Sequence, residues 1–508
     1  MLFNSYEFIF VYLPVVFFGF FFIAPRNYRL AALWLAGASM FFYGWWNPKF
    51  VSLLFASILF NYSAGYLIGQ ARLASQSKSI LFGAIIVNLA LLAVFKYLNF
   101  FIHEINDMGG SVTQVNIVLP LGISFFTFTQ LAFLVDVYRG IAREYNFIHY
   151  LLFVTWFPHL IAGPVLHHKQ MMPQFAQSAT YRINTESIAI GLTLFSLGLF
   201  KKVILADNLS IYANEIFNVA AEGGPPLLIE AWIGALAYTL QLYFDFSGYS
   251  DMAIGLSRIF NINLPLNFDS PYKAASIIDF WRRWHMTLSI FLRDYLYIPL
   301  GGNRKGPWRR HVNIMATMLL GGLWHGAGWN FVLWGGLHGG YLLINHGWRS
   351  LASRNCSVAK NISHHAGVLL TFIAVIIAWV PFRATHFEGT LRMLEGMAGI
   401  NGIPLPTALE PFLSPWLGQS TTFADLRCRT LSLDKALIWI TSGLLIVWTL
   451  PNTQQWLVNY SPAWNTVVSS SSRLAWRPNR SFAVIMGLLF AVSVLAFKKN
   501  SPFLYFRF

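Results

Sequence analysis

The stretch "LLGGLWHGAGWNFVLWGG", Leu319 to Gly336, is apolar, rich in glycine and tryptophan, and carries one ionisable side chain, His325. Such residues suit a lipid or protein interior, where a polar group without a partner costs several kcal/mol. An imidazole placed there needs a partner, which makes His325 a functional candidate from the outset. What surrounds it decides the fold.

The chain has 508 residues, of which 56% are hydrophobic, 17% aromatic and 11% charged; soluble domains carry about 25% charged residues. This is the composition of an integral membrane protein. Apolar runs of about 17–23 residues, each able to cross a ~30 Å hydrocarbon core as a helix, lie near 7–24, 30–46, 50–69, 79–101, 117–137, 186–206, 228–250, 366–382, 434–450 and 481–497. Weaker runs lie at 147–163, 312–324 and 329–347. The expected fold is all-α and polytopic, with about 11 transmembrane helices plus re-entrant or interfacial helices. The start "MLFNSYEFIF" has no basic n-region, so the first run reads as a retained helix. A net charge of +15 points to basic cytoplasmic loops and anionic lipid, and nucleic acid is not the expected partner. "GGNRKG" lacks the spacing of a nucleotide-binding P-loop. Cys356 and Cys428 are too few for a metal cluster or a disulfide framework.

Placing Lys and Arg inside, with the N-terminus outside, puts Arg26, Arg29, Arg72, Lys78, Arg139 and Arg143 on the cytoplasmic side. The acidic loop "HEINDMGGSVTQ" then falls outside. Parity makes "FIHYLLFVTWFPHLIAGPVLHHKQ" re-entrant, broken by Pro158, Gly163 and Pro164. The basic region 258–310 is cytoplasmic, as are Arg349, Arg354 and Lys360. Val312 to Gly347 is only about 36 residues, short of the ~40 that two full spans require. The hairpin is therefore expected to stop short of the far face, with His325 partway through the membrane. Segment 384–433 falls outside, Arg473, Arg477 and Arg480 inside, and Lys498 with Lys499 on the side the rule disfavours.

Two stretches carry further chemistry. In "LAYTLQLYFDFSGYSDMAIGL", Gln241, Asp245, Ser247, Tyr249, Ser250 and Asp251 form a polar seam. Its carboxylates either face a cavity or lock helices by pairing with Arg282 or Arg283. In "SIIDFWRRWHMTLSIFLRDYLYIPLGGNRKG", Ile278, Trp281, His285, Leu288 and Leu292 fall on one face of an expected amphipathic interfacial helix. Its arginines flanked by tryptophan suit a phosphate-bearing ligand or, equally, lipid headgroups. His285 alone reads as well as a structural histidine.

Taken with "LPLGISFFTFTQLAFLVDVYRG", "FPHLIAGPVLHHK", "TMLLGGLWHGAGWNFVLWGGLHG" and the terminal "FLYFRF", these runs resemble the membrane-bound O-acyltransferase family. The resemblance is close to the bacterial branch that includes the membrane subunit of alginate O-acetyltransferase. It is dense over about 117–340 and thinner at the ends.

The resemblance implies one membrane domain, 1–508, with N-terminal helices (1–116), a catalytic core (117–347) and C-terminal helices (348–508), arranged as a ring of tilted helices around a tunnel. It implies acyl transfer from a cytoplasmic thioester, acetyl-CoA, to a hydroxyl beyond the bacterial inner membrane, with no metal or bound cofactor. The family's histidine maps onto His325 and its second motif residue onto His285. A neutral imidazole in an apolar pocket keeps its lone pair and can take a proton from an attacking hydroxyl. Gly326 and Gly328 let the backbone approach closely, and Trp324 and Trp329 can donate N–H bonds. Trp281, Arg282, Arg283, Arg304 and Lys305 are the donor-binding candidates, and Asp245 and Asp251 supporting residues. Tyr505 maps onto a proposed acyl relay, although Leu504 and Arg507 stand where related sequences have isoleucine and glutamine; the alternative is an aromatic interface anchor. The implied partners are membrane lipid, a periplasmic SGNR or esterase-fold acetyltransferase and an exopolysaccharide, alginate first, with cellulose and peptidoglycan behind. A teichoic-acid D-alanyl exporter of the same fold is the nearer alternative. A transporter without covalent chemistry would predict inverted repeats, and the sequence has none.

Overall fold

The computed structural model describes residues 1–142, 146–161, 163–353, 363–405, 421–423, 432–464, 475–497 and 501–504. Arg143, Arg354, Lys360, Arg473, Lys498, Lys499, both cysteines and Tyr505, with Arg507, lie outside the described residues.

Helices form on the apolar runs, and local chemistry sets their ends. They are α1 (Phe8–Ile23), α2 (Tyr28–Gly44), α3 (Lys49–Gln70) and α4 (Ala74–Asp107), followed by α5 (Ile123–Tyr138), α6 (Phe147–Thr155) and α7 (His168–Phe175). Asn27 starts α2 by accepting the N–H of Leu30 at 3.1 Å. α5 begins later than the run at 117 because Pro120 and Gly122, whose φ is +71°, break it. Between α6 and α7 the chain is irregular and buried, with Trp156 and Phe157 at 0% exposure, as a re-entrant segment requires.

α8 (Thr185–Ala221) and α9 (Leu228–Ile259) form the central pair. They cross at glycines: a Cβ on Gly191 would lie 2.6 Å from the Gly255 carbonyl oxygen, and one on Gly248 2.7 Å from that of Gly198. Small residues at a repeating interval let two helix backbones touch. Then come α10 (Ile277–Arg283), α11 (Met286–Leu292), α12 (Gly306–His325), α13 (Trp329–Ser353), α14 (His364–Arg383) and α15 (Phe387–Met397). Strands β1 (Ile403–Leu405) and β2 (Thr421–Phe423) pair in parallel, and α16 (Leu433–Thr449) and α17 (Arg480–Leu495) follow. Among the described residues the regular structure is thus helical apart from this short ladder within the polar segment 384–433.

By length and hydropathy four described helices can cross a membrane: α3, α4, α8 and α14. α1, α5 and α17 are apolar but shorter. α9, at 32 residues, is long enough, but its polar seam lowers its hydropathy. One expectation is corrected. The amphipathic helix through 277–295 is broken at His285, whose φ of 43° is left-handed, so Ile278 and Trp281 do not continue a single face with Leu288 and Leu292. In the hairpin, α12 has 20 residues and α13 has 25, because both helices run on into the flanking basic residues. A 20-residue helix rises about 30 Å.

Candidate active site

His325 is the last residue of α12. The helix stops where Gly326 turns extended, and a Cβ there would overlap the Phe331 ring. The final carbonyls of α12 have no partners within the helix, and α4 supplies them. Tyr97 donates its hydroxyl to Leu323 O at 2.8 Å, and the Lys96 ammonium donates to Trp324 O at 2.5 Å and His325 O at 3.1 Å. A cation at a helix C-terminus also meets the negative end of the dipole. Lys96 and Tyr97 can both face α12 because they lie in a π-helical segment, Ala93–Tyr97, the kind of local widening that recurs at functional sites. Lys96 reaches Ser124 as well, at 3.4 Å.

The His325 ring is 6% exposed and held edge-on by three aromatics, with centroids 4.9 Å from Trp324, 5.0 Å from Trp334 and 5.1 Å from Phe382. The Trp324 indole spans the gap to the second histidine, 6.4 Å from His285. Its back is stacked on Phe128 at 5.2 Å. Trp329, by contrast, is exposed and donates its indole N–H to Glu104 at 2.8 Å.

His285 is 1% exposed, and its left-handed backbone turns the ring inward. Its Nδ1 lies 3.1 Å from Asn267 Oδ1, which also accepts the Thr287 N–H at 3.3 Å and the Thr287 hydroxyl at 3.0 Å. Because that backbone N–H can only donate, the shared Asn267 atom is the oxygen. Nδ1 of His285 is therefore the donor, and the lone pair sits on Nε2. Phe246 meets the same ring edge-on at 4.8 Å.

The seam of α9 is buried, and its carboxylates do not pair with Arg282 or Arg283. Asp245 pairs with Lys202 at 2.7 Å and Asp251 with Lys201 at 2.6 Å, because the glycine crossing brings α8 against this face of α9. Thr453 donates to Asp251 at 2.7 Å. Arg283 instead bonds Asp279 at 2.9 Å.

Two cavities lie along α12. One of about 430 Å³ lies beside the middle turns of α12 and is lined by Trp281, Arg282, Met286, Arg293, Met318 and His346, among others. The other, about 130 Å³, lies at the end of α12 between Trp46, Lys96, Ser124, Trp324 and His325. Of the donor-binding candidates, Trp281 and Arg282 line the first cavity. Arg283 does not, and Arg304 and Lys305 are exposed outside it. A larger cavity, about 760 Å³, lies between α8 and α17 and contains none of the histidines.

Sequence reasoning missed Lys96, Asn267, Arg293 and His338. Lys96 had a signal, a lone cation inside the apolar run 79–101. His338 in "GGLHGG" is 0% exposed, with neither ring nitrogen hydrogen-bonded among the described residues. It sits in a cage of Trp334 at 4.8 Å and Trp281 at 5.2 Å.

Two buried imidazoles facing one indole, one of them lining a cavity at the joint of two helices, fit a helical membrane enzyme. The chain belongs to the membrane-bound O-acyltransferase family, whose match covers residues 81–382. It is 43% identical to the peptidoglycan O-acetyltransferase of Helicobacter pylori over 434 residues, 80% of this chain and 81% of the relative. It is 38% identical to the probable alginate O-acetylase AlgI of Pseudomonas aeruginosa over 544 residues, the full length of both. The teichoic acid D-alanyltransferase of Bacillus subtilis is 27% identical over 287 residues, 54% of this chain and 69% of the relative. The protein is accordingly a membrane O-acyltransferase.

Proposed function

We propose that this acyltransferase takes acetyl from acetyl-CoA on the cytoplasmic side of the bacterial inner membrane and passes it outward for O-acetylation of an exopolysaccharide, alginate. The single observation that carries the reading is the pair of cavities at two levels of α12, one beside Trp281, Arg282 and Met318, the other lined by Trp324 and His325. The first is within the usual size of a ligand pocket, and its Arg282, Arg293 and Trp281 suit the phosphates and base of a nucleotide-bearing thioester. The second presents His325 beside Lys96 and Ser124 to an acceptor from outside. The neutral imidazole of His325 takes the proton of the acceptor hydroxyl as its oxygen attacks the thioester carbonyl. The carbon–sulfur bond breaks, and the departing thiolate takes that proton. The thioester supplies the activation. His285 faces the same indole and supports this step. Asp245 and Asp251 support the scaffold through α8, and a central tunnel within a ring of tilted helices belongs to the same reading.

Tyr505 is the first acceptor in this scheme, handing acetyl to a periplasmic esterase-fold partner and so to the polymer. The full-length likeness to the alginate O-acetylases favours alginate; the Helicobacter pylori relative gives peptidoglycan a second place. Acetyl content of each polymer, measured in cells with and without the protein, decides between them. His325→Ala is expected to abolish acetylation with the protein still abundant in the membrane, and His285→Ala to lower it less. Disappearance of the protein would make His325 a packing residue. Tyr505→Phe keeps the ring and loses the hydroxyl, so a relay predicts that transfer stops, whereas an anchor predicts that Phe is tolerated and Ala harmful.

A further inference from the structure

Near the C-terminus, Phe503 and Leu504 do not stay at the surface. Phe503 is 1% exposed and Leu504 7%, seated between α8 and α9 at the level of Asp245. Three buried charges receive this segment: Lys202, Asp207 and Asp245, with side chains 3%, 9% and 2% exposed. The Lys202 ammonium bridges Asp207 at 2.8 Å and Asp245 at 2.7 Å and extends to Pro502 O at 3.4 Å. The remaining carboxylate oxygens are met by the tail itself, Asp207 by the Ser501 hydroxyl at 2.6 Å and Asp245 by the Leu504 N–H at 3.1 Å. Asn4 donates to Ser501 O at 3.1 Å, and the Phe503 ring lies 4.1 Å from Tyr249 and under the Lys202 ammonium at 5.3 Å.

Two carboxylates and one ammonium leave a negative charge in excess, and burying it is expensive unless further donors compensate. The tail provides two. An apolar trio would hold α8 on α9 as well or better, so helix packing alone gives no reason for buried ions here. Lys202 lies in the π segment Lys201–Ala206, which widens the helix where the ammonium must face both carboxylates. Asp245 is followed by Phe246, whose ring forms the wall of His285.

We propose that Lys202, Asp207 and Asp245 form a lock that seats the C-terminal segment inside the protein, one residue from the His285 wall, and that acetyl leaves the enzyme only when the tail is seated. The three are positioning residues. The second half of the inference rests on the acyl-transfer reading above; the seating of the tail does not.

The test uses the full chain with Cys356→Ser, Cys428→Ser and Leu504→Cys. Removing all three charges together (Lys202→Met, Asp207→Asn, Asp245→Asn) leaves no buried ion stranded. The thiol at 504 is expected to react with a maleimide about tenfold faster or more, the loss of one or two hydrogen bonds from the seated state. In the same variant made without Leu504→Cys, the rate of acetyl transfer should fall about tenfold or more with KM for acetyl-CoA unchanged, because the donor cavity is untouched. A packing defect would move both constants and the membrane level. Should the triple variant fail to fold, Ser501→Ala alone removes the hydroxyl that bonds Asp207, keeps the Lys202–Asp245 pair and should shift both readouts in the same direction. Unchanged maleimide reactivity overturns the lock. Faster reactivity with undiminished transfer leaves the seating intact and overturns its role in export, whereas absence of transfer in the wild-type protein removes the acyltransfer reading and not the lock.

Discussion

Asn267 decides which nitrogen of His285 carries the proton. One oxygen accepts from Nδ1, from the Thr287 N–H and from the Thr287 hydroxyl, so the imidazole is fixed in both tautomer and plane. Asn267→Ala should remove that control at a cost of about 1–3 kcal/mol, which corresponds to a fall in kcat of about 5- to 150-fold with little change in KM for the donor. A stopped assay of acetyl transfer against acetyl-CoA concentration measures both; loss of the protein from the membrane would instead make Asn267 a packing residue. His325 stands out in the sequence because an ionisable side chain is rare within apolar surroundings, whereas the roles expected of His285 and Trp281 came from the neighbouring motif and the family resemblance. Asn267 was not, since an asparagine in "LNFDSPYK" reads as turn chemistry until the left-handed residue at 285 brings its side chain under the imidazole. Lys96 and Lys202 are charges within apolar runs, a signal the sequence reading passed over; Asp207 lies close to Lys202 in the chain, but Asp245 and the carbonyls of Trp324 and His325 are partners that only the tertiary fold supplies.

Two helices widen into π turns where a lysine is needed, α4 at Ala93–Tyr97 and α8 at Lys201–Ala206. A regular helix advances each residue by 100°, and the extra residue of a π turn re-aims its neighbours. Nothing in a hydrophobic pattern marks such a turn, which is why the seam of α9 suggested arginine partners and the structure gives lysines. The glycines that bring α8 close enough for those lysines are visible at Gly191, Gly198, Gly248 and Gly255, yet their pairing is a tertiary fact. Gly248→Ala sets a methyl group 2.7 Å from Gly198 O and 3.1 Å from Lys201 Cβ. Overpacking of this kind costs about 1–3 kcal/mol, so the purified variant should unfold at a lower temperature. Wild-type Tm would mean that the crossing relaxes freely. The helix positions themselves were largely legible, from α2 to α17, because length and hydropathy dominate in a membrane. The break at His285 and the late start of α5 depended on backbone conformations that hydropathy does not encode.

At the scale of the molecule, the ends of α12 fix the orientation. Its last residue, His325, takes Lys96 of α4 on its carbonyl, and just beyond it Trp329 donates to Glu104 near the C-terminal end of the same helix. Asp107 therefore lies at the His325 end of α12. Lys305 precedes Gly306 at the opposite end, about 30 Å away by helical rise. That distance matches the thickness of a hydrocarbon core, so the two residues are expected on opposite faces. The charge pattern says which is which: Arg304, Lys305, Arg309 and Arg310 surround the start of α12, and Lys and Arg are retained on the cytoplasmic side. In a protein with Cys356 and Cys428 replaced by serine, Lys305→Cys should react with a membrane-impermeant maleimide only when the cytoplasmic face is opened, and Asp107→Cys in intact cells. Labelling of both from one side would place the two cavities on the same face of the membrane. Acetyl would then have no membrane to cross, and the exporting reading would give way to transfer within one compartment.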